Sequence, residues 1–213
     1  MRRSRMKLVS VLVTRSKACH VKTLHTVLKL NILCVQNGVD HQILYVNDDP
    51  FEKAAIIERC MKLHDRILFI DFGIGVDQES LEKALCINEN AGLVVFPGVK
   101  QGVNWDMFKE KVRNGSMEST SQMGLEFDTV LGKKTAPHFY HVVSTDAKVW
   151  VMMPRTVVKQ IKKKKWRLQP NMFEDFKEQG VKVYAYSGAR LIQTFAHECV
   201  SNILNAASVK VNA

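Results

Sequence analysis

The sequence predicts an α/β fold, a single domain with a central, mostly parallel sheet of about six strands flanked by helices. Three observations lead there. Short apolar, β-branched segments recur through the first hundred positions. Between them lie helix-length segments that begin with capping residues and end at stop signals. The composition is that of a globular protein: 213 residues, 46% hydrophobic and 24% charged, with 11 Gly and 5 Pro, which excludes disordered and collagen-like classes.

Residues 8–13 (LVSVLV) have the apolar, β-branched character of a strand buried on both faces. A helix follows over about 20–36 and is closed by Asn37-Gly38. Residues 41–46 (HQILYV) form the second strand. Asp49-Pro50-Phe51-Glu52 then places a cap, a proline at the first helical position and a glutamate at the third. Ile56, Ile57, Cys60, Met61 and His64 continue that helix on one face. Residues 66–70 (RILFI) are the third strand, and a Gly73-Ile74-Gly75 turn leads to a helix over 78–88 with Leu81, Ala84 and Leu85 inward. Residues 92–96 (GLVVF) are a fourth strand, ended by Pro97. Helices between successive strands imply right-handed crossovers, which make the strands parallel.

The second half is less regular. Residues 104–112 suit a short helix carrying Trp105 and Phe108, and the polar stretch 114–124 (NGSMESTSQMG) reads as a mobile loop. Residues 139–143 and 149–153 read as strands added antiparallel, 155–166 and 170–179 as helices, and 181–186 as a further strand. A last helix over about 189–206 presents Ile192, Phe195, Cys199 and Ile203 on one face. No internal repeat or linker appears.

Lys and Arg number 31 against 21 Asp and Glu, a formal net charge of +10. Such a surface favours anionic partners: nucleic acid, phosphorylated small molecules or acidic membranes. The five cysteines are scattered and never in C-x-x-C spacing, which argues against a disulfide framework or structural zinc and for a reducing compartment. The first apolar run is too short for a secretory signal, and no run is long enough to span a bilayer. A cytoplasmic protein without a transmembrane segment is expected.

In open α/β sheets, ligands bind beyond the carboxyl ends of the strands. Those ends carry Thr14-Arg15, Asn47-Asp48-Asp49 and Asp71-Phe72-Gly73. Paired carboxylates there can hold a hard divalent cation, and the cation can hold a diphosphate.

The order LVSVLVTR, ILYVNDDP and RILFIDFGIGVDQESLEKAL resembles the GT-A fold (Rossmann-like) nucleotide-sugar glycosyltransferases over about residues 7–97. Thinner likenesses follow at VWVMMP and NMFEDFKEQGVKVYAYSGA. Within that family the chain is similar to the retaining, UDP- and manganese-using domains that chloroviruses use in capsid glycan synthesis. The resemblance implies a nucleotide-binding half over about 1–100 and an acceptor-binding half over about 101–213, with room for a longer parent polypeptide. It implies nucleotide contacts from Thr14, Arg15, Asn47, Asp48 and Asp71, with Mn²⁺ or Mg²⁺ held by Asp71, Asp77 and His197. It makes Glu174 and Asp175 the catalytic candidates and Trp105 an acceptor platform. The expected partners are a UDP-sugar of glucose or rhamnose type and a glycan or glycoprotein acceptor, in the host cytoplasm if the protein is viral.

The pattern departs from the family at Gly73, which stands where the second acid of D-x-D is expected. Several residues have a structural reading beside the functional one. Asp49 and Asp77 precede helices and suit N-caps, His197 sits on a polar helix face, and Glu174 and Asp175 suit a helix first turn. Trp105 equally suits the core of a short amphipathic helix. Asp128 and Asp146 lie beside strands and could face a sugar. The lysine run 162–165 reads as the last turn of a helix. Two other classes compete. A sugar nucleotidyltransferase would carry a Gly-rich loop after the first strand, where this chain has TRSKACH. A basic nucleic-acid-binding protein would explain the charge without catalysis and predicts steep salt dependence.

Overall fold

The computed structural model describes residues 5–163 and 165–194. Its elements run β1 (Lys7–Thr14), α1 (Val21–Gln36), β2 (Asp40–Asn47), α2 (Pro50–Leu63), β3 (Arg66–Ile70), β4 (Ile74–Val76), α3 (Gln78–Cys86), β5 (Leu93–Val95) and α4 (Trp105–Arg113). They continue with β6 (Thr129–Ala136), β7 (Phe139–Thr145), β8 (Val149–Met152), α5 (Pro154–Gln160), α6 (Met172–Gln179), β9 (Val183–Tyr186) and β10 (Leu191–Gln193). The described residues divide into two compact units, one of residues 5–98 with 129–193 and the other built on residues 99–128. Among the described residues no helix is long and apolar enough to cross a membrane.

The first unit is built on an eight-stranded sheet in the order β2-β1-β3-β8-β5-β9-β7-β6, larger than the six strands expected. β1 pairs parallel with β2 and β3, and β5 with β9, while β8 runs antiparallel between β3 and β5. β7 and β6 add an antiparallel edge. Alternation along β1 sends Val9, Val11 and Val13 to one face, where they meet Ala54, Ile57 and Cys60 of α2. Leu8 and Leu12 go to the other face, against Val27, Leu30 and Leu33 of α1 and Leu81 and Ala84 of α3. Both faces are covered, so β3 and β8 are buried along their whole length and read as continuous apolar runs. Phe69 and Trp150 stack across the β3–β8 pair with ring centroids 5.0 Å apart.

Local signals explain the helix ends. Asp49 accepts from the Glu52 backbone N–H at 2.8 Å and caps α2 ahead of Pro50. Arg66, 3% exposed, donates to the carbonyls of Ala84 at 2.6 Å and Ile87 at 2.7 Å, satisfying the end of α3 from inside the fold.

Four expectations need correction. The Gly73-Ile74-Gly75 turn continues into β4, which pairs antiparallel with β10. Residues 191–193 therefore form a strand rather than the start of a final helix, and the rest of that helix lies outside the described residues. The edge strand β6 was missed because its sequence, TVLGKKTA, is mostly exposed and lacks apolar alternation. Finally, α5 ends at Gln160, and Ile161 leaves it in an extended conformation (φ −67°, ψ 127°). The lysine run thus follows the helix instead of forming its last turn, and consecutive like charges give no reason to extend it.

In the second unit, Asn104 caps α4 by accepting from the Met107 N–H at 2.9 Å, and Trp105 lies edge-on to Phe108 with centroids 6.0 Å apart. Met123 and Phe108 are buried there, and the stretch 114–124 is a series of turns.

Candidate functional site

Register brings the candidate residues together. Thr14 pairs with Asn47 across β1–β2, and Leu12 pairs with Ile70 across β1–β3. The first residues beyond each strand, Arg15, Asp48 and Asp71, consequently emerge at one edge of the sheet. The Asp48 N–H also donates to the Thr14 carbonyl at 3.0 Å, which carries the β1–β2 ladder one step further.

Arg15 is projected by a tight reversal. Its N–H and carbonyl exchange hydrogen bonds with Ala18 at 3.1 and 2.9 Å, closing a turn over Ser16 and Lys17. Those two residues have φ of +49° and +61°, a left-handed pair that a two-residue turn usually fills with Asn and Gly. Side-chain-bearing residues in that region are strained, and such strain gathers at ligand clamps. From this turn the Arg15 Nε donates to Asp48 Oδ2 at 2.8 Å, and its guanidinium lies 5.0 Å from the Phe72 ring centroid. His20, the N-cap of α1, packs edge-on against the same ring at 5.4 Å.

A residue absent from the sequence reading completes the cluster. Lys53, in the first turn of α2, donates from Nζ to Asp48 Oδ1 and stands 4.0 Å from Asp71 Oδ1. One signal could have revealed it: a cation in a helix first turn opposes the helix dipole, so its presence asks for a carboxylate partner. Burial alone would raise the Asp48 carboxyl, but hydrogen bonds from Lys53 and Arg15, reinforced by their charge, hold it below the ordinary carboxylate value. Asp71 is anchored through its backbone, its N–H donating to the Lys148 carbonyl at 2.9 Å, and its Oδ1 accepts from the Phe72 N–H at 2.8 Å.

Beside this cluster opens a cleft of about 880 Å³ around the carboxyl end of β2. Lys17, Leu24, Tyr45, Asn47, Ile56 and Arg59 are among its lining residues. Tyr45 is half exposed (53%), and Lys17 and Arg59 add two cations to the wall.

Most of the other candidates have local partners of their own. Thr14 is buried, its hydroxyl donating to the Val46 carbonyl at 3.1 Å. Asn47 Nδ2 donates to Glu52 Oε2 at 2.9 Å. Asp77 caps α3, accepting from the Ser80 N–H at 3.0 Å. Asp175 is buried at 6% exposure, and its two oxygens accept from Trp166 Nε1 and from the Gln169 N–H, all at 3.0 Å. Glu174 is exposed and accepts from Asn171 Nδ2 at 2.8 Å. Asp146 is exposed and Asp128 is buried. Trp105 is half buried in the second unit. His197 lies outside the described residues.

The described residues at this edge do not by themselves make a complete set of ligands for a divalent ion. Among the described residues no three His, Cys, Asp or Glu side chains converge as a metal group. The two carboxylates that do converge, Asp48 and Asp71, are bridged by an ammonium group. Gly73, at φ +77°, occupies a left-handed turn position where an Asp side chain would be strained, so the second acid of D-x-D is lost where the backbone calls for glycine.

No protein-family model and no curated protein matches the sequence. Among solved structures the chain is similar to GalNAc-T7 with UDP, GalNAc and Mn²⁺, with a TM-score of 0.50 and 10% identity over 97% of this chain and 48% of that one. It is also similar to a mutant Drosophila β1,4-galactosyltransferase 7 complexed with manganese, UDP-Gal and xylobiose (TM-score 0.43, 11% identity, 98% and 82% of the two chains). A third similar structure is a glycosyltransferase involved in glycosylation of the major capsid of PBCV-1 (TM-score 0.37, 9% identity, 94% and 99%). This chain spans about half the length of the GalNAc-T7 structure, 48% of it. At 10% identity the likeness to GalNAc-T7 is one of fold, and it agrees with the GT-A-like α/β fold expected from the sequence.

Proposed function

We propose that this chain is a glycosyltransferase that takes a UDP-sugar and passes a hexose or deoxyhexose to a glycan or glycoprotein acceptor. One observation carries the reading: Arg15, Asp48, Lys53 and Asp71 converge at the carboxyl ends of three adjacent parallel strands, beside a cleft walled by an aromatic ring and two further cations. This is where an open α/β sheet binds nucleotides. The exposed Tyr45 face suits a base, and such stacking contributes about 1–3 kcal/mol.

Cleavage of the bond between the anomeric carbon and the diphosphate builds negative charge on the leaving nucleotide. Lys53 and Arg15 are positioned to meet that charge, and Asp48 fixes both beforehand, which lowers reorganisation during the reaction. Asp71 orients the cluster and offers its carboxylate to the donor. Removing one preorganised group of this kind costs about 10²–10³ in rate, since each tenfold is ~1.4 kcal/mol. The sequence resemblance supports a retaining reaction, a glucose- or rhamnose-type donor and a setting in viral capsid glycan synthesis. It also supports a divalent ion, for which Asp71 is the carboxylate at hand.

The test is a thermal-shift panel of UDP, GDP and CMP, in chelator and in Mn²⁺. UDP raises the melting temperature in chelator, and Lys53→Met removes that rise. Any further rise in Mn²⁺ that Asp71→Asn abolishes measures the ion's share. A nucleic-acid-binding protein would answer to none of the nucleotides. A flat response in both conditions would remove the proposal.

A further inference from the structure

Helix α1 carries two apolar faces, and the fold uses one. Thr23, Thr26, Val27, Leu30, Leu33 and Cys34 are buried against the sheet side. On the opposite side Val21, Leu24, Leu28, Ile32 and Val35 are 74%, 38%, 55%, 59% and 74% exposed. Their spacing of three and four residues aligns them in one stripe, running ~21 Å at 1.5 Å per residue. A surface helix ordinarily turns polar residues outward, and isolated exposed aliphatics are common, but a continuous row of five marks an interaction surface.

The charge beside the stripe has one sign. α1 contains no Asp or Glu, and at about 100° per residue Lys22, His25 and Lys29 fall along one border of the apolar row, all exposed. We propose that this face docks the protein onto an anionic phospholipid bilayer, with the aliphatic row entering the headgroup boundary and the lysines meeting lipid phosphates. Three features favour lipid over protein. A second copy seated antiparallel on α1 would bring the same cations together. A stripe ~21 Å by ~10 Å is about a quarter of the ~800 Å² per side that a stable protein interface needs. All five residues are aliphatic, whereas protein interfaces centre on aromatic and arginine anchors set in pockets. Acyl chains ask for apolar area and no shape match, and a basic border adds attraction to an anionic surface.

The surface also bears on access. Leu24 belongs both to the stripe and to the wall of the β2 cleft, so a protein lying on α1 would hold that cleft at the membrane surface. The docking proposal stands on α1 alone and survives if the transferase reading fails.

Flotation of the full chain with vesicles tests it, comparing phosphatidylcholine with phosphatidylserine against phosphatidylcholine alone. Wild type floats with the anionic vesicles. Leu28→Ser with Ile32→Ser leaves the net charge unchanged and lowers the bound fraction roughly tenfold or more, since two apolar side chains leave the bilayer. The melting temperature of that variant does not fall, because both side chains are exposed. Lys22→Gln with Lys29→Gln weakens binding several-fold and reduces its salt dependence. Three results would overturn the proposal: no flotation of wild type; flotation unchanged in Leu28→Ser/Ile32→Ser, which would assign it to general basicity; or a dimer by light scattering that this variant dissolves, which would give the stripe to a second copy.

Discussion

The two ends of β1, β2 and β3 handle polar side chains in opposite ways. At the amino ends, pairing is closed. His41 lies between Ser10 Oγ at 2.8 Å and Asn31 Oδ1 at 3.2 Å, and His64 between Gln42 Oε1 at 2.9 Å and the Cys60 carbonyl at 3.3 Å. Asp65 takes the Lys7 N–H at 3.0 Å and Arg155 at 2.8 Å. At the carboxyl ends, partners are shared: Asp48 serves two cations, Lys53 faces two carboxylates, and Ser16, Lys17 and Gly73 hold left-handed backbone. The lesson concerns access as much as geometry. Asn31, His41 and Ser10 have the donor–acceptor order of a nucleophile relay, yet Ser10 is completely buried and no substrate reaches it. The Arg15 cluster borders an open cleft.

Mutations at the two ends separate chemistry from stability. Under the proposed function the largest effect is expected from Asp71→Ala, which lowers transfer from a UDP-sugar by about 10³ while the melting temperature holds. Lys53→Met follows, at about 10², read in kcat with donor at saturation. At the opposite end, Ser10→Ala strips His41 of a partner and lowers unfolding free energy by about 1–2 kcal/mol in urea titration, with kcat intact. Loss of activity there at full stability would break the comparison.

Titration sharpens it further. Desolvation lowers the His41 pKa from its ordinary 6.5, opposed in part by Asp40. The unfolded chain therefore takes its proton first as pH falls, and stability drops from about pH 6.5 downward until the folded imidazole also protonates. His41→Gln flattens that part of the melting-temperature profile. Asp48 works in the other sense: with its folded pKa lowered, its contribution is present above the usual carboxylate range and fades as pH falls through the folded value. The smallest effect belongs to Asp77→Ala, about 1 kcal/mol from the lost cap of α3, measured by denaturation with activity unchanged.

Much of the first half was legible. β1, β2 and β3 show as apolar runs because both sheet faces are covered, and the caps at Asp49 and Asp77 are local chemistry that three or four residues specify. β6 and β10 were not legible, since each is a strand only through its partner, β7 and β4 respectively. Lys53 was passed over for the same kind of reason: nothing in α2 by itself tells which carboxylates lie above its first turn. Asp175 looked like a first-turn acid, and only the fold shows Trp166 and Gln169 donating to it.

The amino-acid sequence by itself determined the α/β class, the order of the first elements and the places where helices start, because hydrophobic periodicity and capping act over a few neighbouring residues. Tertiary structure decided which charges meet. Arg15, Asp48, Lys53 and Asp71 are spread across the first third of the chain, and only the parallel register of three strands places their side chains within a few ångströms.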